Sequence, residues 1–146
     1  MKHYARQVIP FFHHPGSALA RRRRAGPRNN AVYFTYLEQA RVHYMRQVGL
    51  DFREHSDVSF IIAEACCTYH SPLTLGEQVT VHIRVSELRN SSFIFAYRVQ
   101  GEDGRLAATG RTAQVCYDYR AGQSRPIPDS WRAAMVAFEP GLMETV

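Results

Sequence analysis

Between Asn30 and Val48 the residues Tyr33, Leu37, Ala40, Tyr44 and Val48 recur at steps of three and four. That spacing puts them on one face of a helix about five turns long. Asn29 or Asn30 can cap its first amides, and Gly49 suits a left-handed stop after its last turn. Beyond the polar loop 51–59 the period changes. Phe60 to Tyr69 is a largely apolar run ended by Ser71-Pro72. Val79, Val81, Ile83 and Val85 alternate with Thr80, His82, Arg84 and Ser86, the pattern of a half-buried strand. Phe93, Phe95, Tyr97 and Val99 repeat it, with Leu88-Arg89-Asn90-Ser91 as the turn between. Glu102-Asp103-Gly104 turns the chain into a long strand from Leu106 to Tyr119, which Ala121-Gly122 breaks. Pro126 and Pro128 precede a short terminal helix over Asp129 to Phe138. Ahead of the long helix, Val8 to Phe12 fits an edge strand interrupted by Pro15-Gly16-Ser17.

One long helix followed by an antiparallel meander predicts a single α+β domain over residues 1–146, its sheet wrapped around the helix. A sheet of about five strands covering one helix leaves an edge and a face open. Pairing two units closes them, so a homodimer, or a dimer of dimers, is expected. A length of 146 residues with 45% apolar and 21% charged residues is ordinary globular composition. No apolar run approaches the roughly 20 residues that span a bilayer, and the N-terminus lacks the apolar region of a secretion signal. Three cysteines, two of them adjacent, make no disulfide framework, which favours a reducing cytoplasm.

The net charge of +5 is local. Residues 18–28 carry Arg21, Arg22, Arg23, Arg24 and Arg28 and no acid, while the other 13 basic and 13 acidic residues cancel. A nucleic-acid protein usually spreads basic residues over a face, so no nucleic-acid partner is expected.

The stretch Asn29-Asn30-Ala31-Val32-Tyr33-Phe34-Thr35-Tyr36-Leu37-Glu38-Gln39-Ala40-Arg41 closely resembles the start of the central helix in hotdog-fold acyl-CoA thioesterases of the 4-hydroxybenzoyl-CoA thioesterase type. Supporting segments follow in order: Tyr69-His70-Ser71-Pro72-Leu73 with Leu75-Gly76-Glu77, then Ser91-Ser92-Phe93, Ala108-Thr109-Gly110-Arg111-Thr112 and Pro126-Ile127-Pro128. The resemblance covers the chain from about Val8 to Trp131 and implies a hotdog fold. It also implies hydrolysis of a fatty or aromatic acyl-CoA with no metal or organic cofactor, coenzyme A being part of the substrate. In such enzymes a carboxylate attacks the thioester or activates water, and the helix N-terminus polarises the carbonyl oxygen. The matching oxyanion donor is the backbone N–H of Asn30. Asn30 is equally an ordinary cap, and a helix start with free amides is already an anion site.

The family's residues before the paired Asn read R-x-R-D-x-D-x-x-G-H-V, the second Asp being the catalytic carboxylate. Here the eleven residues are ALARRRRAGPR, and the carboxylate position falls on Arg23. Arginine stays protonated, with a pKa above about 12, and cannot serve as base. The codon boxes of Ala, Arg, Gly, Pro and Leu, read one nucleotide out of frame, permit R-W-R-D-x-D-A-L-G-H-V at the same length. Two compensating frameshifts, at or upstream of Ala18 and near the Arg28–Asn29 junction, account for the segment. The alternative is a true Arg run, solvated or phosphate-binding, in a divergent protein.

Coenzyme A carries phosphates, so Arg89 with Ser91 and Ser92 at the strand turn, and Arg111 beyond Gly110, are substrate-binding candidates, together with Asn29 and Tyr33 at the helix start. Each also reads as an ordinary turn, strand or core residue. Glu38 lies two turns into the helix, and Glu64 in an apolar strand reads as a paired structural acid. Cys66, Cys67 and His70 suggest a Cys-His nucleophile, but neighbours on a strand point to opposite faces. His13-His14 with His70 has no metal spacing. A dehydratase of the same fold would need a catalytic His opposite an acid, and His43 and His70 lack that partner. A non-catalytic module binding acyl-CoA or acyl-carrier protein is the non-enzyme alternative.

Overall fold

The computed structural model describes residues 30–50, 57–74 and 76–142. The expected strand Val8–Phe12, the segment Ala18–Arg28 and Asn29 lie outside them. The elements run α1 (Asn30–Val48), β1 (Val58–Tyr69), β2 (Thr80–Leu88), β3 (Ser92–Gln100), β4 (Leu106–Asp118), β5 (Gln123–Ser124) and α2 (Asp129–Phe138). The strands form one antiparallel sheet in the order β1-β4-β3-β2, with the short β5 added to β4. This is the α+β hotdog arrangement, a long helix lying across a curved antiparallel sheet.

α1 ends where the sequence places its stop. Gly49 has φ 76°, and the Gly49 and Leu50 amides donate to the Arg46 and Met45 carbonyls, both at 3.2 Å. These two bonds satisfy the last turn in a left-handed cap that glycine adopts without strain.

The alternation in β2 and β3 sorts side chains cleanly. Val81, Ile83, Val85, Phe93, Phe95, Tyr97 and Val99 are all buried. Aromatic rings run through this core: Phe60 to Phe93 at 4.8 Å, Phe93 to Phe95 at 5.0 Å, and Tyr44 of α1 to Phe95 at 4.8 Å. Each such edge-to-face pair adds about 0.5–1.5 kcal/mol beyond the area it buries. α2 buries Trp131 and Met135, with Trp131 against Phe60 at 5.1 Å.

α1 crosses the sheet diagonally. Its first turn meets β1, where Tyr33 packs on Tyr69 at 4.9 Å. Leu37 then lies over Gly110 of β4, where an added Cβ would sit 3.0 Å from Leu37 Cδ1. Tyr44 finally reaches Phe95 of β3. The helix therefore leaves most of β1 uncovered, and that strand shows little of the burial its apolar sequence suggests. β1 is also the end strand of the described sheet, paired only with β4.

Candidate active site

Gly110 faces α1, so the register sets which β1 side chains share that face. Cys67 pairs with Gly110, Ala65 with Thr112, Ile62 with Gln114 and Tyr69 with Ala108; a bulge between Ile62 and Glu64 absorbs the odd residue. The helix-facing side of β1 is thus Ile62, Ala65, Cys67 and Tyr69. Ile62 is 48% exposed and Tyr69 42%, and Ala65 is open as well. These side chains form an exposed apolar strip that begins beside the first turn of α1 and follows the end strand of the described sheet.

At its head stands the helix start. α1 begins at Asn30, and the first amides of a helix have no partner within it. Three tyrosines brace this turn. Tyr33 and Tyr36 are buried and meet edge-to-face at 6.3 Å, and Tyr33 carries Tyr69. Asn29 and Arg23 fall outside the described residues.

The other candidates separate. Arg89 sits in the β2–β3 turn, paired with Glu87 at 2.6 Å. That turn is held by Arg132 of α2, whose Nη2 donates to the Arg89 and Asn90 carbonyls at 2.6 and 3.0 Å. The Ser91 carbonyl accepts the Cys116 amide at 2.8 Å, and Ser92 opens β3 opposite Val115. Along β4, Val115 lies seven residues from Ala108, the partner of Tyr69. At about 3.3 Å per residue that is roughly 23 Å. Within one chain, Arg89, Ser91 and Ser92 are at the opposite end of the sheet from Asn30 and Tyr33.

Arg111 is on β4 between Gly110 and Thr112, so it points to the face away from α1. There it approaches Glu64 at 3.8 Å, both side chains being about half exposed. Cys66 is on that outer face too, while Cys67 turns inward. Burial pushes the Cys67 thiol up, against a partial offset from its hydrogen bond with Tyr69, and a raised thiol is a poor nucleophile. His70 Nε2 is engaged by Thr109 Oγ1 at 2.9 Å, and His43 Nε2 by Gln47 Nε2 at 3.0 Å. Glu38 and His43 both line a surface hollow on the outer side of α1 with Gln39, Val42 and Arg46. Phe93 and Phe95 are fully buried. Among the described residues, no group of three His, Cys, Asp or Glu side chains could hold a metal ion, and no helix is long and apolar enough to cross a membrane.

Sequence reading did not single out Ile62 or Tyr69 as lining residues. Tyr69 stands in the motif Tyr69-His70-Ser71-Pro72, which offered a signal. Ile62 offered none, since its exposure depends on where α1 crosses.

Comparison with known proteins agrees with this geometry. Residues 24–135 match the Thioesterase-like superfamily, and the chain belongs to that family. It is 30% identical over 105 residues to a 1,4-dihydroxy-2-naphthoyl-CoA hydrolase of Thermosynechococcus vestitus, covering 67% of this chain and 72% of the relative. A relative from Aquifex aeolicus is 31% identical over 81 residues, and the chain spans 63% of its length. Among solved structures, a thioesterase from Thermus thermophilus, complexed with coenzyme A and Zn, superposes with TM-score 0.74 at 27% identity, over 92% of this chain and 95% of that one. The gentisyl-coenzyme A thioesterase BH1999 gives 0.72 at 25%, over 89% and 100%.

Proposed function

We propose that this protein is an acyl-CoA thioester hydrolase of the hotdog type, acting on a fatty or aromatic acyl-CoA as a homodimer or a dimer of dimers. The observation that carries the reading is the start of α1 at Asn30, at the head of an exposed apolar strip on β1. In the reaction, water adds to the thioester carbonyl carbon, and the carbon–sulfur bond breaks. Coenzyme A leaves as the thiolate and takes up a proton, and the acid is released. Asn30 N–H donates to the oxyanion, supported by the helix dipole. No resident metal or cofactor enters the reading, and coenzyme A arrives with the substrate.

The dimer supplies what one chain separates. Antiparallel pairing of two β1 edges about a two-fold axis sets the Val58 end of one strand beside the Tyr69 end of the other. Arg89, Ser91 and Ser92 of one copy then approach the helix start of its partner, where their amides, hydroxyls and guanidinium suit coenzyme A phosphates.

The carboxylate is the missing component. Arg23 occupies its expected position, and a guanidinium cannot act as base. This polypeptide is therefore expected to bind acyl-CoA and turn it over poorly. A form with residues 18–28 replaced by the frame-restored motif should hydrolyse it. Thiol release from a panel of fatty and aromatic acyl-CoAs tests both. Turnover by the unaltered polypeptide at ordinary rates, about 1–1000 per second, would refute the role assigned to Arg23. Binding without turnover in both forms favours the second reading, a non-catalytic module for acyl-CoA or acyl-carrier protein, which the Arg at this position supports.

A further inference from the structure

We propose that Tyr69 is a specificity-determining residue, forming the wall against which the acyl group packs and selecting a planar, aromatic acyl group over a saturated one. The inference rests on the hydrolase reading above and deepens it. Tyr69 ends β1 on the helix-facing side, paired with Ala108. Its ring meets Tyr33 edge-to-face at 4.9 Å with an interplanar angle of 75°. Tyr33 is one turn beyond Asn30 and is 3% exposed. It is braced in turn by Tyr36, which is 6% exposed.

One buried ring, backed by a second, thus holds a third, which keeps 42% of its surface open. A thioester carbonyl bound at the Asn30 amide places its first acyl carbons beside this ring. Aliphatic chains gain only contact area there. An aryl group gains ring–ring attraction as well, and the wall costs little ordering because it is already fixed.

The test is a binding titration with two thioethers that cannot be hydrolysed, S-phenacyl-coenzyme A and its cyclohexyl counterpart, alongside coenzyme A itself. The unaltered protein should bind the phenacyl form about three- to tenfold more tightly than the cyclohexyl form. Tyr69→Leu should bring that ratio to about one, and Tyr69→Phe should preserve it. Equal binding of the two thioethers by the unaltered protein overturns the inference without need of a variant. So does a preference that persists in Tyr69→Leu, or a Tyr69→Leu protein that dissociates into monomers, which would make the ring a subunit contact. Failure of coenzyme A to bind at all is a separate result, and it removes the hydrolase reading itself.

Discussion

Leu37 lies directly on Gly110: a Cβ added at Gly110 would fall 3.0 Å from Leu37 Cδ1 and 3.2 Å from the Cys66 carbonyl oxygen. The absent side chain lets α1 descend onto β4 midway along its diagonal, and that descent fixes where the Asn30 turn sits over β1. Gly110→Ala requires Leu37 Cδ1 and the Cys66 carbonyl to give by a few tenths of an ångström. Overpacking of this kind costs about 1–3 kcal/mol. The expected result is a lowered urea midpoint with an unchanged slope, together with a loss of coenzyme A affinity greater than that from an equally destabilising change in α2. A Gly110→Ala protein as stable as the parent would show that the contact relaxes freely.

β1, the end strand of the described sheet and the edge on which the proposed dimer rests, makes a second expectation. Ile62 is half exposed on the largely apolar β1, and a lysine on an edge strand opposes pairing with another strand. Ile62→Lys should leave the monomer folded, because its side chain is open to solvent. It should shift the protein toward monomer in sedimentation velocity and weaken coenzyme A binding in parallel. Retention of the dimer after Ile62→Lys would place the subunit contact elsewhere.

The elements were largely legible in the sequence because they rest on local pattern. The apolar stripe gave α1 as Asn30–Val48, and the prolines gave α2 as Asp129–Phe138, as observed. β2 extends through Leu88, which the sequence placed in the following turn. β5 escaped notice because Gln123–Ser124 is too short to show alternation. β1 is more instructive. Ile61-Ile62-Ala63 reads as a buried strand, yet the bulge between Ile62 and Glu64 and the diagonal of α1 expose it. Neither feature is local. The site divides the same way. The Asn30 start followed from the motif and its spacing, whereas the distance from Arg89 to that start depends on strand order, which no single segment records.

Arg89 and Arg111 now make different predictions. Arg89 is in a turn braced by Arg132, at the end of the sheet that the proposed two-fold partner would bring to the helix start. Arg111 points to the opposite face, near Glu64. Losing one phosphate contact costs about 1.5–3 kcal/mol for a charge-assisted bond, or roughly 10- to 100-fold, with exposure favouring the lower figure. Arg89→Ala should therefore loosen coenzyme A about tenfold, measured by calorimetry at low salt. Arg111→Ala should change it less than about twofold. The reverse order would mean that coenzyme A lies along the outer face of the sheet.

Two buried carboxyls should tilt stability against pH in opposite directions. Burial raises the Glu77 carboxyl, but bonds from Arg105 at 2.7 Å, from the Thr74 hydroxyl and amide, and from the Glu102 amide at 3.2 Å outweigh it and hold the group at about 2. Its stabilisation is complete above the unfolded value of about 4.5 and is lost as pH falls through 2. Glu139 is the converse case. Burial pushes it up, only partly offset by the Val85 amide at 2.9 Å and by Tyr44. A folded carboxyl with a raised pKa favours the native state below 4.5, and that contribution fades as pH rises through the shifted value. Glu77→Gln should cost about 2 kcal/mol at pH 7 and nothing comparable near pH 2. Glu139→Gln keeps an acceptor for Val85 without burying charge, so it should match or exceed the parent at pH 7 and lose that advantage near pH 4. Chemical denaturation at pH 2, 4, 5.5 and 7 resolves the two slopes, and a Glu139→Gln protein markedly less stable at pH 7 would assign its carboxylate an ion-pairing role instead.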